Sequence, residues 1–140
     1  MSQKGQTLVE SALQSAPFKS LAFRPQYIYG PNANKFGYVD YFLDRIDSGL
    51  PLPIPGSGEQ FVSLTNAKDV ANLLSCAVNC KEDWAVYNCG GPVYKYTAVA
   101  DLCAKALGKV ADVRLGAGKG AFPFRPNNFH VLPTKVRLEC

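Results

Sequence analysis

Segments with the apolar spacing of a helix alternate along this chain with segments built like strands, and that alternation limits its possible packings more than any single motif. Val39, Phe42, Leu43 and Ile46 fall on one helix face, as do Val70, Leu73, Leu74, Ala77 and Val78, and then Val99, Leu102, Cys103, Ala106 and Leu107. Between them lie short runs with strand character at 20–28, 60–64, 85–87 and 111–115. Each helix has an apolar face to cover and each strand needs a partner. The expected class is therefore α/β, with a right-handed crossover wherever parallel neighbours are joined.

Turn and cap residues sharpen the boundaries. A first helix over 6–16, carrying Leu8, Val9, Ala12 and Leu13, must end before Pro17. Gly30-Pro31 with Asn32 and Asn34 supplies loop chemistry after the first strand. Gly49 and Gly108 stand where helix C-terminal caps are expected, and Asn66 with Asp69 forms an N-cap pattern. The proline-rich run 50–55 reads as an extended edge that turns at Gly56-Ser57-Gly58 into the strand at 60–64, so a small hairpin is expected. Gly116 to Gly120 is a break, followed by Phe122-Pro123-Phe124-Arg125-Pro126 and a last helix from Pro133.

The 140 residues, 47% hydrophobic and 19% charged, suit one globular core and exclude disorder throughout. Fifteen Lys and Arg against eleven Asp and Glu give +4, which leans toward anionic partners without diagnosing nucleic acid. Five cysteines form an odd set without paired C-x-x-C spacing, and they are expected to be buried and reduced. Cys76 and Cys80, four apart on an expected helix, do not make a metal site with the single His130. No apolar run approaches the ~20 residues of a membrane span. The sequence opens into a helical pattern with no signal or transit segment, so no targeting segment is expected.

Arg24-Pro25-Gln26-Tyr27-Ile28-Tyr29-Gly30-Pro31, then Pro53-Ile54-Pro55-Gly56-Ser57-Gly58, then Asn66-Ala67-Lys68-Asp69-Val70 resemble the second half of an extended short-chain dehydrogenase/reductase, the NAD-dependent epimerase/dehydratase family. Phe42-Leu43-Asp44-Arg45-Ile46, the run from Val62 to Val70 and, more loosely, Phe122-Pro123-Phe124-Arg125 and His130 make the likeness greatest to the chloroplast stem-loop-binding proteins, an atypical branch. The resemblance implies the C-terminal part of a Rossmann-like fold: the last strands of the parallel sheet and the small substrate-binding lobe, with the N-terminal dinucleotide-binding half missing. It implies one incomplete domain over 1–140, in which 1–31 hold the last helix and strand of the Rossmann-like half and 32–140 are mainly substrate lobe. Relatives carry a nucleotide-binding half before Lys4 and continue past Glu139, so a partner chain or that missing half is expected to cover the open sheet.

Within the chain there is no Gly-x-x-Gly-x-x-Gly after a strand and no Tyr-x-x-x-Lys, and Gln6 falls about where the lysine of that pair is expected. No dehydrogenase or epimerase activity is expected of this chain alone, and no cofactor. NAD(P) enters only if the missing half is supplied. The family's usual Asn in the Arg-Pro segment is Tyr27 here, and the arginine that would pair with a diphosphate is lost from 62–69, which disfavours sugar-nucleotide chemistry.

The leading reading, which the resemblance implies, is RNA binding in plastid RNA metabolism, with location in the chloroplast stroma and no catalytic residue assigned. The ligand loop would be Arg24, Pro25, Gln26, Tyr27, Tyr29 and Gly30, and RNA would meet Lys119, Phe122, Phe124, Arg125 and His130. Lys68, Lys95, Lys105 and Lys109 are further phosphate candidates. The alternatives are the substrate lobe of an NAD(P)-dependent epimerase, dehydratase or reductase, in which Gly90-Gly91 would border substrate, and a non-catalytic subunit of a larger assembly.

Overall fold

In the computed structural model, residues 3–32, 37–116, 122–125 and 127–131 are described. In chain order the elements are α1 (Gln3–Gln14), β1 (Ser20–Pro25), β2 (Ile28–Tyr29), α2 (Val39–Asp47), β3 (Leu52–Ile54), β4 (Phe61–Ser63), β5 (Thr65–Asn66), α3 (Ala67–Cys76), a 3-10 turn at Ala77–Asn79, β6 (Trp84–Cys89), β7 (Val93–Lys95), α4 (Tyr96–Leu107) and β8 (Val113–Leu115). The strands form four two-stranded ladders: β1 with β6, β2 with β5 and β3 with β8 are parallel, and β4 with β7 is antiparallel. The expected α/β class holds.

Caps set the helix limits. The Asn66 side chain accepts from the Lys68 N–H at 2.8 Å, and starts α3 as its sequence pattern predicts. After α2 the chain enters a left-handed turn at Gly49 (φ +66), where Gly49 N–H donates to the Ile46 carbonyl and Leu50 N–H to that of Arg45. Gly108 closes α4 in the same conformation.

The main core lies between α2 and α4. Phe42 and Ile46 from α2 meet Val99, Ala100, Cys103 and Ala104 from α4, with Leu52, Ile54, Val62, Leu64, Tyr96 and Phe124 filling the space around them. A smaller cluster sits on β6, where Ala85 and Tyr87 pack with Leu21, Phe23, Leu73 and Cys80, and the rings of Phe23 and Tyr87 stack 5.4 Å apart. Apart from Leu73, the helix faces read from α1 and α3 are poorly covered. Leu8 and Val9 are 71% and 60% exposed, Leu74 is 52% exposed, and no residue of α3 is buried.

The expected hairpin between the proline run and β4 does not form. In an extended strand alternate residues direct their peptide groups to the same side, so Leu52 and Ile54 serve one edge of β3 and Pro51, Pro53 and Pro55 the other. Proline has no N–H, and the second edge therefore has no donors. β3 pairs through the Leu52 side instead, with Leu52 N–H donating to the Asp112 carbonyl at 2.8 Å in register with β8. Glycines at 56 and 58, both at positive φ, carry the chain away toward β4. The last expected helix, from Pro133, and Cys140 lie outside the described residues.

The chain from β4 into β5 changes partners at Leu64, leaving β7 for β2. Gly91 makes that exchange possible, because a Cβ there would stand 1.8 Å from the Leu64 carbonyl oxygen. Gly91 is thus packed against backbone and does not line the cleft described below. Gly91→Ala is expected to destabilise the fold by about 3 kcal/mol through overpacking, read as a lower urea midpoint at unchanged m-value.

Candidate functional site

An open cleft of about 1010 Å³ lies where the end of β1 meets α1 and the segment 123–129. That is at the upper end of the ~300–1,000 Å³ range of small-molecule sites. One wall is Gln6, Thr7 and Glu10 of α1 with Arg24, Pro25 and Gln26, and the other is Tyr27, Tyr38, Pro123, Phe124, Arg125 and Phe129.

Tyr27 is the pivot. β1 runs in register with β6 up to Pro25 paired with Cys89, and β2 begins at Ile28 paired with Thr65. Between these partners the backbone turns at Tyr27 with φ +41, a region that bulky side chains rarely enter and that costs about 1–3 kcal/mol. Its ring offsets this by edge-to-face contacts with Tyr38 at 4.9 Å, Phe124 at 5.0 Å and Phe129 at 5.9 Å. Its hydroxyl accepts from the Arg125 N–H at 3.2 Å. Burial pushes the Tyr27 phenol above its ordinary range.

Arg125 is held from the other side too, since the Tyr96 hydroxyl donates to its carbonyl. Tyr96 is fully buried, and its phenol is pushed up to about 12 by that burial and by Tyr27. With its backbone fixed, Arg125 places its guanidinium 4.2 Å from the centre of the Phe129 ring. Phe129 is itself anchored to β4, donating to the Phe61 carbonyl at 2.9 Å and accepting from the Ser63 N–H at 3.2 Å.

The two guanidiniums of the cleft differ. Arg24 Nε donates to Glu10 Oε1 at 2.7 Å and Nη2 to Oε2, so its charge is matched within the cleft. The paired guanidinium holds the Glu10 carboxyl below its usual value, chiefly by hydrogen bonding. Among the described residues Arg125 has no carboxylate partner.

The cleft brings together Arg24, Pro25, Gln26, Tyr27, Phe124 and Arg125 of the sequence-predicted set. Tyr29 and Gly30 stand apart: Tyr29 pairs with Asn66 in the β2 ladder, and Gly30 faces the start of α3. Phe124 is a core residue against Phe42 and Tyr96, and at 4% exposure has no free face to stack on a base, while Phe122 is half-buried and packs on the same core against Tyr41, Phe42 and Tyr96. His130 is exposed and outside the cleft, and Lys119 lies outside the described residues.

Of the further phosphate candidates, Lys95 is paired with Glu59 and Lys109 with Asp47. Glu10 and Phe129 were not legible from motifs, because one reaches the site across an ion pair and the other through a strand-like contact with β4.

No group of three potential ligands is placed to hold a metal among the described residues. Cys89 and Cys103 are buried and raised by burial, Cys103 to about 11, whereas Cys76 and Cys80 are half-buried. Cys80 lies past the 3-10 turn against the Tyr87 hydroxyl, not on the helix of Cys76. Among the described residues no helix is long and apolar enough to cross a membrane.

No family model matches the chain. It is 34% identical over 96% of its length to the chloroplast stem-loop binding protein of 41 kDa b from Arabidopsis thaliana, and spans 38% of that relative. Its fold matches a UDP-glucose 4-epimerase of Thermus thermophilus in complex with NAD at TM-score 0.71, with 23% identity over 95% of this chain and 44% of that one. A UDP-glucuronic acid 4-epimerase of Bacillus cereus matches at 0.74, with 19% identity over 96% and 43%. A dTDP-glucose 4,6-dehydratase of Bacillus anthracis matches at 0.75, with 17% identity over 96% and 42%. The chain is thus similar to part of a chloroplast stem-loop binding protein and has the fold of part of a Rossmann-like epimerase or dehydratase. It spans less than half the length of each of these relatives.

Tyr27→Phe keeps the ring and removes the acceptor for Arg125 N–H, and is expected to cost about 1–2 kcal/mol with faster amide exchange at Arg125. A group whose pKa is higher folded than unfolded gives stability that is complete below the unfolded pKa and lost as pH rises through the folded one. Tyr96, raised from 10.0 to about 12, and Cys103, raised from 9.0 to about 11, therefore predict a denaturation midpoint that declines on the alkaline side from pH 9 to 12. Tyr96→Phe should flatten the upper part of that decline.

Proposed function

We propose that this chain is the cleft-bearing part of an RNA-binding protein of the plastid, built on a dehydrogenase-like scaffold whose catalytic chemistry it does not carry. The observation that supports this most is the Arg125 guanidinium laid over Phe129 at the cleft mouth, without a carboxylate partner among the described residues. A cation on an aromatic platform suits a phosphate beside an unpaired base. The chloroplast relative's name gives the direction and the compartment.

The NAD-bound structures test a second reading, the substrate lobe of an NAD(P)-dependent enzyme. Dinucleotide binding needs a glycine turn that brings backbone N–H groups and a helix N-terminus to the pyrophosphate. Here the N-terminus of α3 is filled by its own Asn66 side chain, and no strand-to-helix turn in the chain has the glycine spacing. The residues present do not fit the dinucleotide, and Gln6 stands in the cleft about where the resemblance places a lysine. A companion half supplying that turn would restore NAD(P) binding. The exposed Leu8, Val9 and Leu74 suit a third reading, a subunit covered by a neighbour in an assembly.

The test is RNA affinity against salt. Arg125→Ala is expected to weaken binding of a hairpin RNA and reduce the slope of log K against log salt by about 0.7, the loss of one phosphate contact. Lys109→Ala, which breaks only a surface pair with Asp47, is expected to leave the slope unchanged. An Arg125 variant with unaltered affinity and slope overturns the assignment of this cleft. NADH or UDP-sugar binding by the chain alone would favour the second reading.

A further inference from the structure

We infer, on the basis of the RNA reading above, that the cleft takes one unpaired nucleotide of a stem-loop, its base laid on the outer face of the Arg125 guanidinium, and leaves the paired stem outside.

Charge sets the scale first. Among the described residues, Glu10, Arg24 and Arg125 are the charged ones lining the cleft, and Glu10 matches Arg24, which leaves a single positive charge among them. Lys95 and Lys109 are paired away from it, and no described lysine lines it. Readers of double-stranded RNA contact phosphates over roughly 16 base pairs, which needs a spread of cations. One unmatched guanidinium fits one phosphate, and a cleft of about 1010 Å³ has room for a nucleotide-sized group.

The aromatic wall then sets the mode. Phe124 is closed off in the core, and Tyr27 is packed against the rings of Tyr38, Phe124 and Phe129, so both are engaged with other rings. At 4.2 Å from the ring centre, the Arg125 guanidinium covers one face of Phe129, and of the two residues Arg125 is the exposed one and Phe129 the half-buried one. A guanidinium is planar and weakly hydrated, and unpaired bases stack on it. Tyr27 and Tyr96 fix the peptide groups on both sides of Arg125, which organises the platform before ligand arrives. Gln6 and Gln26 line the same cleft with amides able to meet a base edge.

The experiment uses the whole native polypeptide and three fluorescein-labelled RNA probes: a hairpin with 2-aminopurine in its loop, a blunt duplex of the same stem, and an unstructured single strand. The hairpin and single strand are expected to bind alike, the duplex about tenfold more weakly, and the loop 2-aminopurine to be quenched on binding. Arg125→Lys should keep the salt slope but lose about tenfold in affinity together with the quenching, because lysine retains the charge and not the plane. Phe129→Leu, which keeps the site apolar, should behave like Arg125→Lys. Equal binding of duplex and hairpin, or full rescue by lysine, overturns the stacked-base inference while leaving RNA binding in place. Failure of all three probes to bind overturns both.

Discussion

Two tyrosine hydroxyls grip the peptide groups on either side of Arg125, one accepting its N–H and the other donating to its carbonyl. Tyr27 comes from the crossing between two ladders and Tyr96 from the first turn of α4, so the grip ties three distant parts of the chain into one wall. The Tyr96 hydroxyl belongs to a fully buried side chain, where a satisfied hydrogen bond is strong and an unsatisfied one costly, whereas the bond to the Tyr27 hydroxyl is exposed to solvent. The order of the segment that carries Phe124 into the core and Arg125 to the surface follows from this contact. The cleft has a shape because that segment has a fixed place.

The same arrangement explains how an unfavourable backbone is tolerated. In the enzymes that the Arg24 to Pro31 segment resembles, the usual residue at the position of Tyr27 is asparagine, which enters positive φ readily. Here a bulky ring takes that conformation, and contacts with Tyr38, Phe124 and Phe129 compensate for it. Local strain and aromatic packing are therefore two sides of one feature.

Much of the fold was legible in the sequence because its signals are local. Gly49, Gly108 and Asn66 mark helix ends through backbone geometry that only a few residue types satisfy, and all three act as their patterns predict. Apolar spacing located α2 and α4, whose faces meet in the core, and also α3, whose face sends Leu73 to the small cluster on β6 and leaves Leu74 exposed. Periodicity reports that a face needs cover, not where the cover resides. The expected hairpin fails because the turn residues Gly56 and Gly58 carry no information on the missing donors of the strand before them. At the cleft, the Arg-Pro segment and Arg125 could be read from the sequence. Glu10 could not, since its role depends on how α1 lies beside the end of β1, and Phe124 looked like a stacking surface because its burial depends on Phe42 and Tyr96.

The three alternate prolines of β3 have one more consequence. A sheet grows into an aggregate when an incoming strand finds both donors and acceptors along a free edge. Along the side served by Pro51, Pro53 and Pro55 an incoming strand meets carbonyl oxygens alone, one of them already taken by the Arg45 side chain at 2.6 Å. The opposite side is filled by β8. This strand is a dead end for lateral growth, so copies of the chain crowded together in a cell cannot line up through it into a continuous ribbon.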